Sequence, residues 1–149
     1  RWKIFSRYSN KRCLDYKNLK VVSFGIRNLS KEEMDFYNSN RDRIEIYWGK
    51  DKQIWDLSLL DKFLKNKNVY ITFDVDGFDS SIMPATGTPE PGGMFWEDVL
   101  PIIKKVCQIS NIVGADINEL APIKNFNSYN FLVAKLAYKI ISYSFEFKN

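Results

Sequence analysis

The chain alternates short apolar runs with segments whose apolar residues recur at helical spacing. Three largely apolar runs, rich in β-branched and aromatic residues, predict buried strands at 20–26, 68–74 and 111–117. A shorter run predicts another strand at 44–47. Strands that read as nearly continuous apolar runs are typical of parallel sheets, which are covered on both faces.

Two helices are predicted between the strands at 20–26 and 68–74. Ser30 and Glu33 form a capping-box pattern, which predicts a helix over roughly 31–38. Apolar residues at helical spacing then predict a second helix from about 52 to 65. Each helix follows one strand and precedes the next.

Two further helices are predicted in the second half of the chain. Residues 96–106 have a helical pattern, in which Pro101 is expected to delay the start of the helix or to kink it. Ser128 is predicted to cap a last helix. Five apolar residues are expected to share one side of that helix: Phe131, Leu132, Leu136, Ile140 and Ile141.

This alternation predicts an α/β fold made of βαβ units, with a parallel sheet between two layers of helices. A length of 149 residues is that of one domain. Ligands of such sheets bind at the carboxyl ends of the strands. Two predicted strands end in acids, Asp74 with Asp76 on one and Asp116 with Glu119 on the other, so these residues are the first functional candidates.

Charge and cysteine content exclude several classes of function. The net charge is +4, but no block of five like charges occurs, so nucleic-acid binding is not expected. No apolar run reaches the ~18 residues of a membrane span, and the start of the chain does not resemble a signal peptide. The chain has no histidine, and Cys13 and Cys107 lie far apart, which excludes a Cys/His zinc site. Reduced thiols in a cytoplasmic protein are therefore expected.

The two acids at the end of the predicted strand 68–74 favour a site for a divalent cation. In an extended segment, residues two apart point the same way, so Asp74 and Asp76 would present adjacent carboxylates. Each raises the pKa of the other, and a hard cation such as Mg²⁺, Mn²⁺ or Ca²⁺ would relieve the repulsion. The alternative is a pair of loop acids satisfied by backbone N–H groups or a basic side chain, and so short a pattern leaves both open.

A long loop at 77–93 follows these acids. It contains four glycines and three prolines, which is typical of a shaped functional loop. It lacks the phosphate-binding pattern G-x-x-x-x-G-K-[ST]. An EF-hand is also excluded, because Asp79 rather than glycine stands sixth from Asp74.

Three spaced segments resemble the signature of the arginase/agmatinase ureohydrolases, binuclear manganese enzymes that hydrolyse guanidinium groups. The segments are 73–79 (FDVDGFD), 84–93 (PATGTPEPGG) and 114–122 (GADINELAP). The endings of the last two are closer to agmatinases than to arginases, and 22–27 (VSFGIR) is similar to an earlier family segment.

The resemblance implies one partial domain over residues 1–149, in which 19–149 correspond to the C-terminal half of the family's chain and 1–18 are unassigned. It implies an arginase-like three-layer α/β/α fold whose N-terminal part is missing. We therefore expect an exposed strand edge and an exposed apolar face.

The resemblance also implies roles for four residues. Asp74 matches the carboxylate that bridges the two metal ions, and Asp76 matches a carboxylate that binds one of them. Glu119 matches the acid that pairs with the substrate guanidinium, and Thr88 matches a loop residue beside it. In the family, a metal-bridging hydroxide attacks the guanidinium carbon, and urea and an amine are released.

Three other residues of the matching segments are expected to support the site. Asp79 and Asp116 are interpreted as loop-holding or supporting groups, and Arg27 as structural. Ser80 stands where a proline is usual.

The family's histidine-bearing upstream ligand segments and its proton-shuttling histidine have no counterpart here, so no catalytic residue is assigned. Only part of the Mn²⁺ ligand set is present, and we expect the chain to be inactive alone.

Three hypotheses follow. The first is the C-terminal part of a manganese-dependent ureohydrolase acting on a guanidino compound, agmatine before others. The second is a non-catalytic remnant that acts as an interaction or regulatory subunit. The third, least favoured, is an unrelated metal-binding or nucleic-acid-binding domain. The expected partners are a small guanidino substrate, further copies of the chain or a full-length homologue, with no nucleic acid and no membrane.

Overall fold

One parallel sheet forms the centre of the molecule. The computed structural model describes residues 2–3 and 14–148, with the backbone alone at Trp2 and Lys3. Within these residues the strand order is β3-β2-β1-β4-β5, and every neighbouring pair is parallel. The strands are β1 (Trp2–Lys3), β2 (Lys20–Ile26), β3 (Ile44–Trp48), β4 (Asn68–Asp74) and β5 (Asn111–Asn118).

The predicted strands are confirmed. Those at 20–26 and 68–74 have the predicted bounds, and the other two each extend one residue further. The helices are α1 (Lys31–Ser39), α2 (Leu60–Leu64), α3 (Trp96–Ile109) and α4 (Asn127–Glu146). Short 3-10 turns occupy Gly49–Ile54, Leu57–Leu59 and Val75–Gly77.

Alternating residues of the strands build a core on each face of the sheet. On one face, Val22 and Ile71 belong to the large cluster that α2, α3 and α4 complete with Leu60, Val99 and Leu136. On the opposite face, the neighbouring Val21 packs with Leu14 and Ile44 in a smaller cluster, against which Phe36 of α1 lies. The predicted three-layer α/β/α arrangement is therefore confirmed.

The capping box of α1 is present as predicted. The Ser30 hydroxyl accepts the Glu33 N–H at 3.2 Å, and the Glu33 carboxylate accepts the Ser30 N–H at 2.7 Å. Among the described residues, no helix is long and apolar enough to cross a membrane.

The predicted helix from 52 to 65 is wrong, because this segment forms turns that end in the short α2. The Asp56 carboxylate accepts the N–H of Ser58 at 2.9 Å, and this local bond competes with helical pairing. Trp55 has extended backbone, and its ring packs edge-on against Phe24 at 5.5 Å between ring centroids. Burial of Trp55 therefore overrides the helical pattern.

Helix α3 begins at the predicted residue, and α4 begins one residue before its predicted cap. Helix α3 begins at Trp96 and continues past Pro101 to Ile109, so the late start is wrong. Helix α4 begins at Asn127, so Ser128 lies inside it and is not its cap. Phe126 precedes α4 and makes no capping bond, but its ring stacks on Tyr129 at 6.2 Å.

The predicted apolar side of α4 is partly wrong. Leu136 and Ile140 are buried, and Leu132 packs against the core, but Phe131 and Ile141 are 72% and 56% exposed. The helix therefore has apolar residues on two sides.

Candidate functional site

The predicted site residues lie at the carboxyl ends of β4 and β5. Asp74 ends β4 and is paired in register with Asn118, the residue before Glu119. Glu119 has a φ of 67°, in the left-handed region that non-glycine residues rarely adopt. This turn ends the strand and sets the direction in which the Glu119 side chain leaves it.

Asp74 and Asp76 are not two residues of an extended strand, so that part of the prediction is wrong. The strand ends at Asp74, and Val75–Gly77 form a 3-10 turn. The Asp74 carboxylate caps this turn by accepting the Asp76 N–H at 3.1 Å. The turn keeps the two carboxylates close together by a different geometry.

The electrostatics of Asp74 show that acids converge here. Burial, the adjacent Asp76 carboxylate and the Glu119 carboxylate raise the pKa of Asp74 to about 7. A half-buried carboxyl with two acidic neighbours is therefore easily protonated or easily bound by a cation.

The loop that follows is held by Asp79. Its Oδ1 accepts the Ser81 N–H at 3.0 Å and the Ser81 hydroxyl at 2.6 Å. Its Oδ2 accepts the N–H groups of Gly92 at 2.7 Å and Gly93 at 3.1 Å. These bonds, led by those from Ser81, lower the pKa of Asp79 to about 2. The geometry agrees with the loop-holding role and shows that one buried carboxylate joins both ends of the loop.

The middle of the loop lies against the end of β5. The Ala121 N–H donates to the Ala85 carbonyl at 2.8 Å. A methyl group added at Gly87 would lie 3.8 Å from Oε2 of Glu119. The Thr88 hydroxyl donates to Oδ2 of Asp76 at 3.3 Å. The loop thus lies beside Glu119 and brings Thr88 to the 3-10 turn Val75–Gly77, here called the acidic turn.

Arg27, just after β2, holds the backbone of the acidic turn. Its guanidinium donates to the Asp76 carbonyl at 2.6 Å and lies 3.4 Å from the carbonyls of Gly25 and Gly77. Its Nε lies 3.8 Å from the Glu90 carboxylate. The side chain is only 13% exposed and agrees with the structural role expected for it.

A polar network that the sequence analysis missed lies beside Asp74 on β4 and β5. The buried Thr72 hydroxyl donates to Oδ1 of Asp116 at 2.5 Å, and the Asn118 amide donates to both residues. A hydrogen bond with Asp116 also raises the pKa of Tyr70. Asp116 is therefore engaged within the sheet. The alternation of Thr72 with Asp74, and of Asp116 with Asn118, was the available signal for this shared face.

Asp74, Asp76, Thr88 and Glu119 all line one cleft. Among residues 14–148, no group of three or more histidine, cysteine or acidic side chains is close enough to hold a metal ion. Carboxylate oxygens are the donors that Mn²⁺ and Mg²⁺ accept, so Asp74 and Asp76 fit part of a metal site. The described residues do not fit a complete one.

Comparison with known proteins identifies the family. A sequence model of the Arginase family matches residues 3–142. The N(1)-aminopropylagmatine ureohydrolase of Synechocystis is 34% identical over 128 residues, which are 84% of this chain and 41% of the relative. The agmatinase of Pyrococcus horikoshii is 35% identical over 127 residues, which are 85% of this chain and 44% of the relative.

Solved structures agree in fold. A putative agmatinase from Clostridium difficile superposes with a TM-score of 0.77 at 26% identity, over 96% of this chain and 57% of that one. A triple mutant of the T. brucei arginase-like protein, bound with Mn²⁺, superposes with a TM-score of 0.80 over 96% of this chain and 51% of that one. At 20% identity the latter shows the fold alone. The chain spans about two fifths of the length of the curated relatives it matches. It belongs to the arginase family of ureohydrolases.

Proposed function

We propose that this chain forms the metal-binding and guanidinium-binding part of a manganese-dependent ureohydrolase, which converts a guanidino compound to urea and an amine. The observation that carries the proposal is the convergence of Asp74, Asp76 and Glu119, which helps to hold the pKa of Asp74 at about 7. Such crowding of carboxylates is typical of sites that a divalent cation or a cationic substrate completes.

Asp74 and Asp76 are the proposed Mn²⁺ ligands. When bound, a pair of such ions lowers the pKa of a shared water and so supplies hydroxide near neutral pH. Asp74 is fixed by its bond to the Asp76 N–H, and Asp76 is fixed through its own carbonyl by Arg27. The remaining ligands must come from outside the described residues.

Glu119 is the proposed partner of the substrate guanidinium. A carboxylate and a planar guanidinium form two parallel charge-assisted hydrogen bonds, which fix the orientation of the guanidinium carbon. Thr88 touches Asp76 on the same cleft and is proposed to contact the substrate beside Glu119.

The substrate is proposed to be agmatine or a close relative. Similar proteins are named for agmatine and N(1)-aminopropylagmatine, and a human mitochondrial one, 33% identical over 134 residues, for guanidino acids. These compounds share the guanidino group to which Glu119 would bind, and they differ in the rest of the molecule. With agmatine as substrate, the chain would belong to cytoplasmic polyamine biosynthesis.

A non-catalytic interaction or regulatory subunit is the second candidate. The chain has no histidine, and the described residues contain no group of three metal ligands. Both hypotheses predict an inactive isolated chain, and they differ in what happens when the rest of the fold is supplied.

The test measures urea release from agmatine with added Mn²⁺. The purified chain is assayed alone and after co-expression with the part of the Synechocystis relative that the match does not cover. We expect turnover only from the pair. Turnover by the chain alone would disprove the need for another part, and an inactive but assembled pair would favour the non-catalytic subunit.

The residue assignments are tested in the active pair. Asp74→Asn with Asp76→Asn should abolish saturable Mn²⁺ binding in a calorimetric titration, whereas the exposed Asp42→Asn should not change it. Glu119→Gln should leave Mn²⁺ binding intact and weaken agmatine binding. Equal Mn²⁺ affinity in the wild type and the double variant would rule out the metal assignment.

A further inference from the structure

The cleft that contains Asp74 and Glu119 is also lined by a further carboxylate, that of Glu90. Glu90 lies in the same loop as Thr88, two residues further along the chain. Its side chain is 41% exposed, so the carboxylate is accessible to a ligand from the cleft. The proposed metal and guanidinium chemistry uses Asp74, Asp76 and Glu119, and it gives no role to Glu90.

Glu90 is held in place from the end of β2. The Asn28 amide donates to its Oε1, and its Oε2 lies 3.8 Å from Nε of Arg27. Arg27 is itself fixed by its hydrogen bond to the Asp76 carbonyl at 2.6 Å. The backbone is also held, because the Ser80 N–H donates to the Glu90 carbonyl at 3.3 Å. A carboxylate can accept about four hydrogen bonds, so these contacts orient Glu90 and leave acceptor positions for a ligand.

The loop limits the distance between Glu90 and the proposed guanidinium site. Gly87 lies beside Glu119, since a methyl group added there would be 3.8 Å from Oε2 of Glu119. Gly87 and Glu90 are three residues apart, so their Cα atoms are separated by at most about 10 Å. A guanidino compound with an extended four-carbon tail measures about 7 Å from the guanidinium carbon to the terminal nitrogen. A guanidinium bound at Glu119 therefore leaves the end of such a tail within reach of Glu90.

The charge of the cleft determines which kind of tail it favours. The described residues that line it include six acids and one base, Arg27, although the whole chain has a net charge of +4. A cleft lined by charges of one sign concentrates ligands of the opposite sign. An ammonium at the end of the tail is therefore attracted to Glu90, whereas a carboxylate in the same place is repelled.

We propose that Glu90 is a specificity-determining residue, which binds the ammonium at the far end of a guanidino amine while Asn28 holds its carboxylate in position. The substrate class is a guanidinium joined to an amine by an aliphatic chain, and guanidino acids are disfavoured. This inference rests on the proposed function, because it requires the guanidinium to bind at Glu119.

The test compares three guanidines of similar length that differ in the charge at the end of the tail. Agmatine ends in an ammonium, butylguanidine in a methyl group and 4-guanidinobutanoate in a carboxylate. Their dissociation constants are measured by NMR titration of the isotope-labelled chain, as wild type, Glu90→Gln, Glu90→Lys and Glu119→Gln. Glu97→Gln is the matched control, because it removes an exposed acid of α3 that does not line the cleft.

In the wild type and in Glu97→Gln, we expect agmatine to bind at least about fivefold more tightly than butylguanidine, and 4-guanidinobutanoate to bind most weakly. Glu90→Gln should bring agmatine and butylguanidine to within about twofold of each other. Glu90→Lys should reverse the order of agmatine and 4-guanidinobutanoate. The order of affinities within one variant does not depend on the fraction of folded chain, so a loss of stability does not imitate these results.

An unchanged order in Glu90→Gln, or an equal change of order in Glu97→Gln, would overturn the assignment of Glu90. A wild type that binds none of the three ligands would also overturn it, and the urea assay would then still test the proposed function. Glu119→Gln separates the two claims, because it should weaken the binding of all three ligands alike. If it weakens none of them, the guanidinium assignment fails, whereas an order that depends on Glu90 would still support the tail site.

Discussion

The guanidinium of Arg27 donates to the backbone carbonyl of Asp76 at 2.6 Å, across 49 residues of sequence. This bond joins the end of β2 to the turn that carries the candidate metal ligand. The contact is to the main chain, so it does not occupy the Asp76 carboxylate. The position of Asp76 therefore depends on a side chain from another strand end.

Replacement of Arg27 by lysine is expected to lower the free energy of unfolding by about 1–3 kcal/mol. Lysine keeps the charge but cannot reach the carbonyls of Gly25, Asp76 and Gly77 with a planar fork. Urea denaturation measures the effect. Arg41→Lys is the control, because Arg41 is exposed and should change stability by less than about 0.5 kcal/mol. Equal effects of the two substitutions would show that the hydrogen bonds of Arg27 to these carbonyls contribute no measurable stability.

Asp79 predicts an acid-dependent loss of stability. Its pKa is about 2 in the folded chain, below the ordinary 3.8, so its contribution is present above pH 4 and is lost as the pH falls towards 2. Asp79→Asn should flatten this part of the stability–pH curve and destabilise the chain at pH 7, because the amide accepts fewer bonds from Ser81, Gly92 and Gly93. Denaturation series at several pH values, with Asp42→Asn in parallel, provide the measurement. An unchanged curve in Asp79→Asn would contradict the loop-holding role.

Gly93 is expected to tolerate no side chain. A Cβ there would lie 2.5 Å from the Phe78 carbonyl and the Asp79 nitrogen, so Gly93→Ala should cost about 1–3 kcal/mol or more and displace the loop. Gly87→Ala is the matched control, since its nearest neighbour, Glu119 Oε2, would be at an ordinary 3.8 Å. Thermal unfolding and limited proteolysis within 80–93 report the difference. Similar midpoints for the two variants would argue against the close contact.

Removing one charge from the acidic turn should stabilise the metal-free chain. Burial and the carboxylates of Asp76 and Glu119 disfavour ionised Asp74, so Asp74→Asn is expected to raise the unfolding midpoint in EDTA at pH 8. Saturating Mn²⁺, supplied to the completed fold, should reverse the order, because the metal stabilises the wild type alone. Differential scanning fluorimetry can measure both. A less stable Asp74→Asn protein in EDTA would show that the carboxylate is already satisfied.

Much of the fold follows from short-range patterns. The strands at 20–26 and 68–74 are predictable because continuous apolar and β-branched residues have few other places to go. The cap at Ser30 is predictable because both of its bonds are local. The turns within 52–65 could not be predicted, because the packing of Trp55 against Phe24 determines the backbone there. That contact joins residues far apart in sequence.

The site shows the same division. Its acids could be placed at strand ends from the pattern alone, and family resemblance supplied their roles. Two features depend on tertiary contacts, namely the network of Thr72 with Asp116 and the hydrogen bonds of Arg27 to the turn. The capping of the 3-10 turn by Asp74 is local, but the apolar strand pattern does not reveal it. The outward side of α4 also escaped prediction, because helical spacing alone does not say which of two apolar sides meets the core.

The left-handed backbone of Glu119 has a consequence for the stability of the chain. A glutamate at a φ of 67° costs roughly 1–2 kcal/mol relative to glycine in the same conformation. Glycine would adopt the same conformation without that cost. The proposed guanidinium-binding role of Glu119 and the stability of the chain therefore make opposite demands on one position.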